Sequence, residues 1–249
     1  METSSSTHRS TVATLRTPSA AEGFRPAARD QGRRILRGRQ HLIHAGEPVD
    51  QPWLVVAGVL KSYLLHADGE EQVLDFHLPG DIIGLDAMIN GQATSSVLAL
   101  DTCSVQPLDL QPPRADRRVD PTQTHRVIQA MHQEILRLTR RLHMAVESTD
   151  QRLAAYLLGF SEHQHRRGFS ASELRLPMRR RDLALYLGLA TETLSRAFTR
   201  LRKRGLLAVD NYDVRILDPD GLRKLAGCAA QLTWQPTDNP ASDRSDATQ

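Results

Sequence analysis

The chain has 249 residues, 40% of them hydrophobic but only 4% aromatic, so one large or two ordinary domains must be packed mainly with aliphatic side chains. Net charge is only +3, yet just Lys61, Lys203 and Lys224 of the 32 basic residues are lysine; the arginine excess suits bidentate recognition of phosphate and guanine and equally fits a GC-rich genome. No run approaches ~18 consecutive apolar residues, which excludes a transmembrane helix, and two distant cysteines, Cys103 and Cys228, exclude a disulfide framework and point to a reducing cytoplasm.

Residues 1–30 are rich in Ser, Thr, Ala and Arg without periodicity or the apolar core of a secretory signal, and are expected to be disordered, as is the tail over 233–249. From Arg34 to Leu110 the apolar runs are of strand length. Turn signals separate them at Ala45-Gly46-Glu47-Pro48, Asp68-Gly69, Pro79-Gly80-Asp81 and Asn90-Gly91, where Asp-Gly and Asn-Gly favour hairpins. Many short strands at close spacing predict a compact β-barrel or roll. Pro112 and Pro113 end this pattern, and Asp120-Pro121 is a helix start, with Asp as N-cap and Pro at the first helical position.

The period then changes. Ile128, Met131, Ile135, Leu138, Leu142 and Ala145 recur at alternating spacings of 3 and 4, flanked by Glu134, Arg137, Arg140 and Arg141. This narrow stripe reads as the seam of a dimerisation helix, against the alternative of an ordinary core helix. A second helix is expected from about Asp150 to His165.

Met178 to Leu207 is the most informative stretch. Counted from Arg180, Ala184 is fifth, Gly188 ninth and Leu194 fifteenth, which is helix-turn-helix spacing: a small residue at the crossing, Gly in the turn, an apolar residue packing the second helix onto the first. Thr191 is the expected N-cap of the second helix. Its first exposed turns offer Arg196 to guanine, Glu192 to cytosine N4 and Ser195 to either kind of base edge. The alternative for Glu192 is an i,i+4 ion pair with Arg196. Between Leu174 and Leu206 nine basic residues face two acidic ones, a local +7 that assigns Arg179, Arg180, Arg181, Thr191, Thr193, Thr199 and Arg200 to phosphate contact. Beyond Gly205, two short strands around Asp210-Asn211 complete a winged helix.

This order, with VLKSYLLHADGEEQVLDFHLPGDIIGLDAM in the β part and LPMRRRDLALYLGLATETLSRAFTRLRKRGLLAV in the helical part, resembles the CRP/FNR superfamily of bacterial transcription regulators, FNR-like branch, over roughly Arg34 to Ala229. The resemblance implies an α+β chain: an N-terminal double-stranded β-roll of the cyclic-nucleotide-binding type over 31–120, a dimerisation helix over 121–148 and a C-terminal winged helix-turn-helix over 149–232. The branch's Glu-x-x-Ser-Arg reading triplet falls on Glu192, Ser195 and Arg196, implying a homodimer on palindromic double-stranded DNA with TTGAT-like half-sites. Gly69, Glu70 and Glu71 fall where the family presents a hairpin to RNA polymerase, implying activation.

The departures matter too. No cysteine stands at the N-terminus, and Cys103 is offset from the family's internal cysteine, so no iron–sulfur cluster is expected. Leu85 stands where the cAMP-binding branch needs Glu, and Thr94-Ser95 where it needs Arg-Ser, leaving a cyclic phosphate without a charge partner. His41-x-x-His44 and His163-x-His165 lack a third ligand and read as surface histidines, Cys103 as a buried strand residue, and Cys228 as a redox thiol or an inert cysteine. No nucleophile motif, P-loop or Gly-x-Gly-x-x-Gly points to an enzyme. The expectation is a cytoplasmic DNA-binding regulator without a membrane partner. The alternatives are a haem-, nitric-oxide- or metabolite-responsive sensor regulator and a protein-interaction module that does not bind DNA.

Overall fold

The computed structural model describes residues 32–108 and 146–227, and between them 128, 131, 132, 134–136, 138, 139, 141 and 142. Eight short strands come first: β1 (Arg34–Leu36), β2 (His41–Ile43), β3 (Trp53–Ala57), β4 (Leu60–Leu65), β5 (Glu71–His77), β6 (Ile82–Ile83), β7 (Ser96–Ala99) and β8 (Cys103–Pro107). They form two antiparallel four-stranded sheets, ordered β1-β8-β3-β6 and β2-β7-β4-β5. Leu36, Val55, Ile83 and Val105 of the first sheet meet Leu42, Leu60, Val97 and Ala99 of the second in one buried cluster, so the sheets close face to face as a roll. Burying each such aliphatic side chain stabilises the roll by about 1.5–3 kcal/mol.

Gly58, between β3 and β4, has φ +80°, and a Cβ there would stand 2.6 Å from Cys103 Sγ and 2.5 Å from the Thr102 carbonyl oxygen. Cys103 is fully buried on β8, as expected, and its thiol donates to the carbonyl of Val59 at 3.2 Å. Burial pushes that thiol's pKa up, which leaves it a poor nucleophile.

Asp68-Gly69 makes the expected turn between β4 and β5, with the Glu70 amide donating to Asp68 Oδ1 at 3.0 Å. Asn90-Gly91 differs from the hairpin expectation. It ends a one-turn helix, α1 (Ala87–Asn90), where the Gly91 amide donates to the Ala87 carbonyl. The same turn chemistry serves a helix C-terminus because both need a residue tolerant of the left-handed region.

The described positions between 128 and 142, like Val146, are helical. Ile128, Met131, Ile135, Leu138 and Leu142 are all exposed, from 46% at Met131 to 73% at Leu142. The expected helix start at Asp120-Pro121 and the seam position Ala145 lie outside the described residues.

The helical unit begins at α2 (Thr149–Arg166), close to its expected bounds. A capping box fixes its start: Ser148 Oγ accepts from the Gln151 amide, and Gln151 Oε1 accepts from the Ser148 amide. There follow β9 (Glu173–Arg175), α3 (Arg180–Leu187), α4 (Thr191–Lys203), β10 (Leu207–Asp210), β11 (Asp213–Ile216) and α5 (Pro219–Ala226). Strands β10 and β11 are the expected wing, and β9 adds a third strand that the sequence pattern did not reveal.

Leu153 and Leu157 of α2, Leu183 and Leu187 of α3, Leu194 and Leu201 of α4, and Leu222 of α5 share one core. Val59, Val73, Phe76 and Leu78 of the roll belong to that same core, so the two units are packed together. His163 is buried on α2, not on the surface as its position near the helix end implied. No helix among the described residues is long and apolar enough to cross a membrane.

Candidate nucleic-acid interface

Helix α3 starts after Arg179, whose extended backbone makes no side-chain cap, and stops at Gly188. Gly188 has φ +65°, the left-handed conformation that Gly adopts without steric cost, and only Gly188, Leu189 and Ala190 separate the two helices. The Leu189 amide closes the turn onto the Ala184 carbonyl at 2.9 Å, and Arg152 of α2 donates to the Leu187 carbonyl at 3.0 Å. Helix α4 then begins at Thr191. Its N-cap is Ala190, which has no capping side chain, so Thr191 is the first helical residue and not the cap that the sequence predicted.

Helix α4 is strongly two-faced. Leu194, Ala197, Phe198 and Leu201 are buried at positions i, i+3, i+4 and i+7. Glu192, Ser195, Arg196 and Thr199 are exposed on the other side. Glu192 and Arg196 have no ion-pair or hydrogen-bond partner among the described residues, so the i,i+4 pair does not form. Glu192 gains from the positive end of the α4 dipole, which offsets part of the cost of an acid in a basic region. Ser195 Oγ donates to the Thr191 carbonyl at 2.9 Å, leaving its lone pairs for an incoming donor. Thr199 Oγ1 donates in the same way to the Ser195 carbonyl at 3.0 Å.

The residues expected on phosphate divide into two groups. Arg179 and Arg181 are exposed beside α3, and Thr191 and Thr193 are partly buried at the start of α4. Arg180 and Arg200 are engaged by other parts of the chain, Arg180 half-buried and Arg200 at the surface. The Arg180 guanidinium lies 3.8 Å from the Phe198 ring centroid and donates from Nη2 to the Asn211 carbonyl at 2.8 Å. This ties the recognition helix to the wing tip, where Asn211 holds φ +53°. Burial lowers the pKa of Arg180 from its ordinary value. Arg200 grips Asp150 of α2 through Nε at 3.1 and 3.0 Å and Nη2 at 2.5 Å. That carboxylate raises the pKa of Arg200. Position-by-position reading missed both ties because their partners are 31 and 50 residues away.

Elsewhere, Gly69 and Glu70 are exposed at the β4–β5 turn, whereas Glu71 opens β5 with its carboxylate on Lys61 Nζ at 2.6 Å. His41 and His44 stack with ring centroids 4.1 Å apart, and His41 Nε2 meets the Tyr63 hydroxyl at 2.8 Å. Burial and the neighbouring His44 lower the pKa of His41. Among the described residues no three His, Cys, Asp or Glu side chains are grouped to hold a metal ion. Cys228 lies outside the described residues.

A two-faced helix behind a tight turn, with a wing beside it and cations around it, fits the major groove of a duplex. Residues 151–225 match the Crp-like helix-turn-helix domain, and residues 33–111 match the cyclic nucleotide-binding domain. The chain is 37% identical over 205 residues to the transcriptional activator protein Anr of Pseudomonas protegens, covering 79% of this chain and 81% of Anr. It is 34% identical over 189 residues to the fumarate and nitrate reduction regulatory protein of Escherichia coli, covering 76% of each. Among solved structures it is similar to FixK2 of Bradyrhizobium japonicum, with a TM-score of 0.68 and 27% identity, covering 78% of this chain and 96% of FixK2. The chain therefore belongs to the CRP/FNR family of transcription regulators.

Proposed function

We propose that this regulator works as a homodimer that reads palindromic DNA with TTGAT-like half-sites, one per protomer, through Glu192, Ser195 and Arg196. The observation that carries the reading is the solvent face of α4. These three residues lie on the face opposite the buried Leu194, Ala197, Phe198 and Leu201, and neither Glu192 nor Arg196 is held by a partner among the described residues. Unpaired Arg and Glu on a recognition helix offer what guanine O6/N7 and cytosine N4 require. Arg179 and Arg181 supply phosphate contacts from the end of α3, with Thr191, Thr193 and Thr199 along α4.

The dimerisation helix is assigned to 121–148, between a β-roll unit over 31–120 and a winged-helix unit over 149–232. Its support is the line of exposed Ile128, Met131, Ile135, Leu138 and Leu142, an apolar stripe that a single chain leaves in water. Activation is assigned to the β4–β5 turn, where Gly69 and Glu70 are open to RNA polymerase.

The roll does not fit a cyclic nucleotide. The stretch from Gly80 to Ser96 contains no lysine or arginine, and the Thr94 amide and hydroxyl both donate to Asp86 Oδ2. A buried phosphate there meets a carboxylate and no counter-cation. Nor do two cysteines in the whole chain supply the four thiolates of an iron–sulfur cluster, so regulation proceeds without either group.

The test is selection of binding sites from random duplexes by the purified chain. Enrichment of an inverted repeat of TTGAT-like half-sites, with binding that weakens steeply as salt rises, is the expected result. Enrichment of direct repeats, of unrelated sequence or of nothing overturns it.

A further inference from the structure

Lys61 is the second residue of β4 and is only 4% exposed, an unusual place for a lysine. Its ammonium is held by two carboxylates from different parts of the chain. Glu71 Oε2 is 2.6 Å away on the adjacent strand, and Asp182 Oδ1 is 2.8 Å away in the first turn of α3, 121 residues further on. Asp182 is itself only 7% exposed. Burial alone would drive the Lys61 pKa down, but the hydrogen bonds to Asp182 and Glu71 outweigh it and the net shift is upward. Beside this triad, Phe76 of β5 packs on Tyr156 of α2 and Tyr186 of α3, with ring centroids 6.2 and 5.2 Å apart. The cation and its aromatic surround therefore lie at the junction of the roll and the reading unit.

Apolar contacts tolerate sliding, since one greasy neighbour replaces another. A buried ion pair does not, because displacement by a few ångströms leaves a charge without a partner in a poorly solvating place. The junction therefore has one preferred register. Helix α3 carries Asp182, and α4 packs against α3 in the core that Leu183 and Leu194 share. Whatever fixes α3 against the roll fixes the direction in which α4 points.

We propose that Lys61 is a positioning residue that sets the angle of the reading helix relative to the roll, and thereby the separation of half-sites that a dimer accepts. This rests on the homodimer reading given above. Lys61 touches no base and does not choose sequence. One base pair of added spacing moves a half-site by about 3.4 Å along the duplex and about 35° around it, so a fixed angle is a strict gauge.

The experiment uses the full chain and a set of palindromes whose half-sites are held at the selected separation or moved by one or two base pairs. The variants are Asp182→Asn, which keeps size and an acceptor oxygen, Lys61→Met, and the exchange Lys61→Glu with Asp182→Lys. In Asp182→Asn and Lys61→Met the preference for the selected separation should fall about tenfold, while the penalty for a changed guanine within a half-site stays as in the parent chain. The exchange should recover part of the preference. If Asp182→Asn melts like the parent and its spacing profile superimposes on the parent's, the proposal is overturned and the triad only holds the fold. If Lys61→Met does not fold, Asp182→Asn decides alone. If the parent chain sediments as a monomer and binds a lone half-site as tightly as the palindrome, the dimer reading falls first and the spacing role falls with it.

Discussion

Arg196→Ala is the most direct test of base reading. Arg196 is exposed and makes no ion pair or hydrogen bond among the described residues, so its truncation should change folding stability by no more than about 0.5 kcal/mol. On DNA the same change removes a bidentate donor pair. One such Arg–guanine contact is worth about 1–3 kcal/mol of discrimination; two half-sites double this to about 2–6 kcal/mol, roughly 30-fold to 20,000-fold in Kd. The assay is equilibrium binding at fixed salt to the selected palindrome and to duplexes altered at one symmetric position at a time. The variant should lose most affinity on the selected palindrome and become indifferent to the base at a single position per half-site. The dependence of log Kd on log salt should keep its slope, because no phosphate contact is removed. Uniform weakening across all duplexes with a shallower slope would place Arg196 on phosphate and refute the argument.

Three further outcomes are expected. Leu138→Asp puts a carboxylate from each protomer into the seam and should raise the dimer dissociation constant at least about a hundredfold in sedimentation equilibrium; an unchanged constant removes Leu138 from the interface. Gly58→Ala forces a Cβ to within 2.6 Å of Cys103 Sγ at a positive φ and should cost about 2–4 kcal/mol by urea unfolding; a cost below about 0.5 kcal/mol would mean that the β3–β4 connection adjusts freely. His41 has a folded pKa below its ordinary 6.5, so the unfolded chain takes up the proton first as pH falls. Its neutral form therefore favours folding above about pH 6.5, and that contribution fades as pH drops from there toward the folded value; melting temperature should decline less steeply over this window in His41→Gln than in the parent, and parallel curves would refute the assignment.

Local patterns carried much of the fold into the sequence. The Asp68-Gly69 hairpin, α2, the helix-turn-helix and the wing each follow from signals within a few residues: turn-forming glycine, a 3.6-residue apolar period, a Gly nine places into a motif. The misreadings have local causes as well. Asn90-Gly91 encodes tolerance of a left-handed backbone, which a hairpin and a helix end share, and only the preceding turn of α1 decides between them. Thr191 has a capping side chain, but the chain enters α4 one residue earlier, through Ala190. Partnerships across the chain were not legible. Lys61 was one lysine in a strand, and Asp182 one acid deducted from a basic cluster, until the fold brought them to 2.8 Å. The third wing strand, β9, is three residues long and too short for periodicity to register.

The charge of the helix-turn-helix unit is distributed differently in the fold from what a count along the sequence implies. The local excess of +7 counted Arg180 and Arg200 as cations presented outward, and Asp182 as an acid opposing them. In the fold, Arg180 is committed to Phe198 and Asn211, Arg200 to Asp150, and Asp182 to Lys61. Arg180 and Asp182 leave the presented surface, and Arg200 stays on it with its charge paired to Asp150, so the tally scarcely changes. What changes is its distribution: exposed cations remain at Arg175 on β9, at Arg179 and Arg181 where α3 starts, at Arg196 on the solvent face of α4, and at Arg202, Lys203 and Arg204 where α4 ends. The groups that the fold has spent hold the wing, α2 and the roll against the two helices of the motif. Arg200 commits Nε and Nη2 to Asp150, which offsets its charge, so it adds less to binding than the unpaired Arg179 or Arg181. Sequence specificity needs both kinds of arginine, because a base-reading side chain discriminates only when the helix bearing it is held at one angle to the groove.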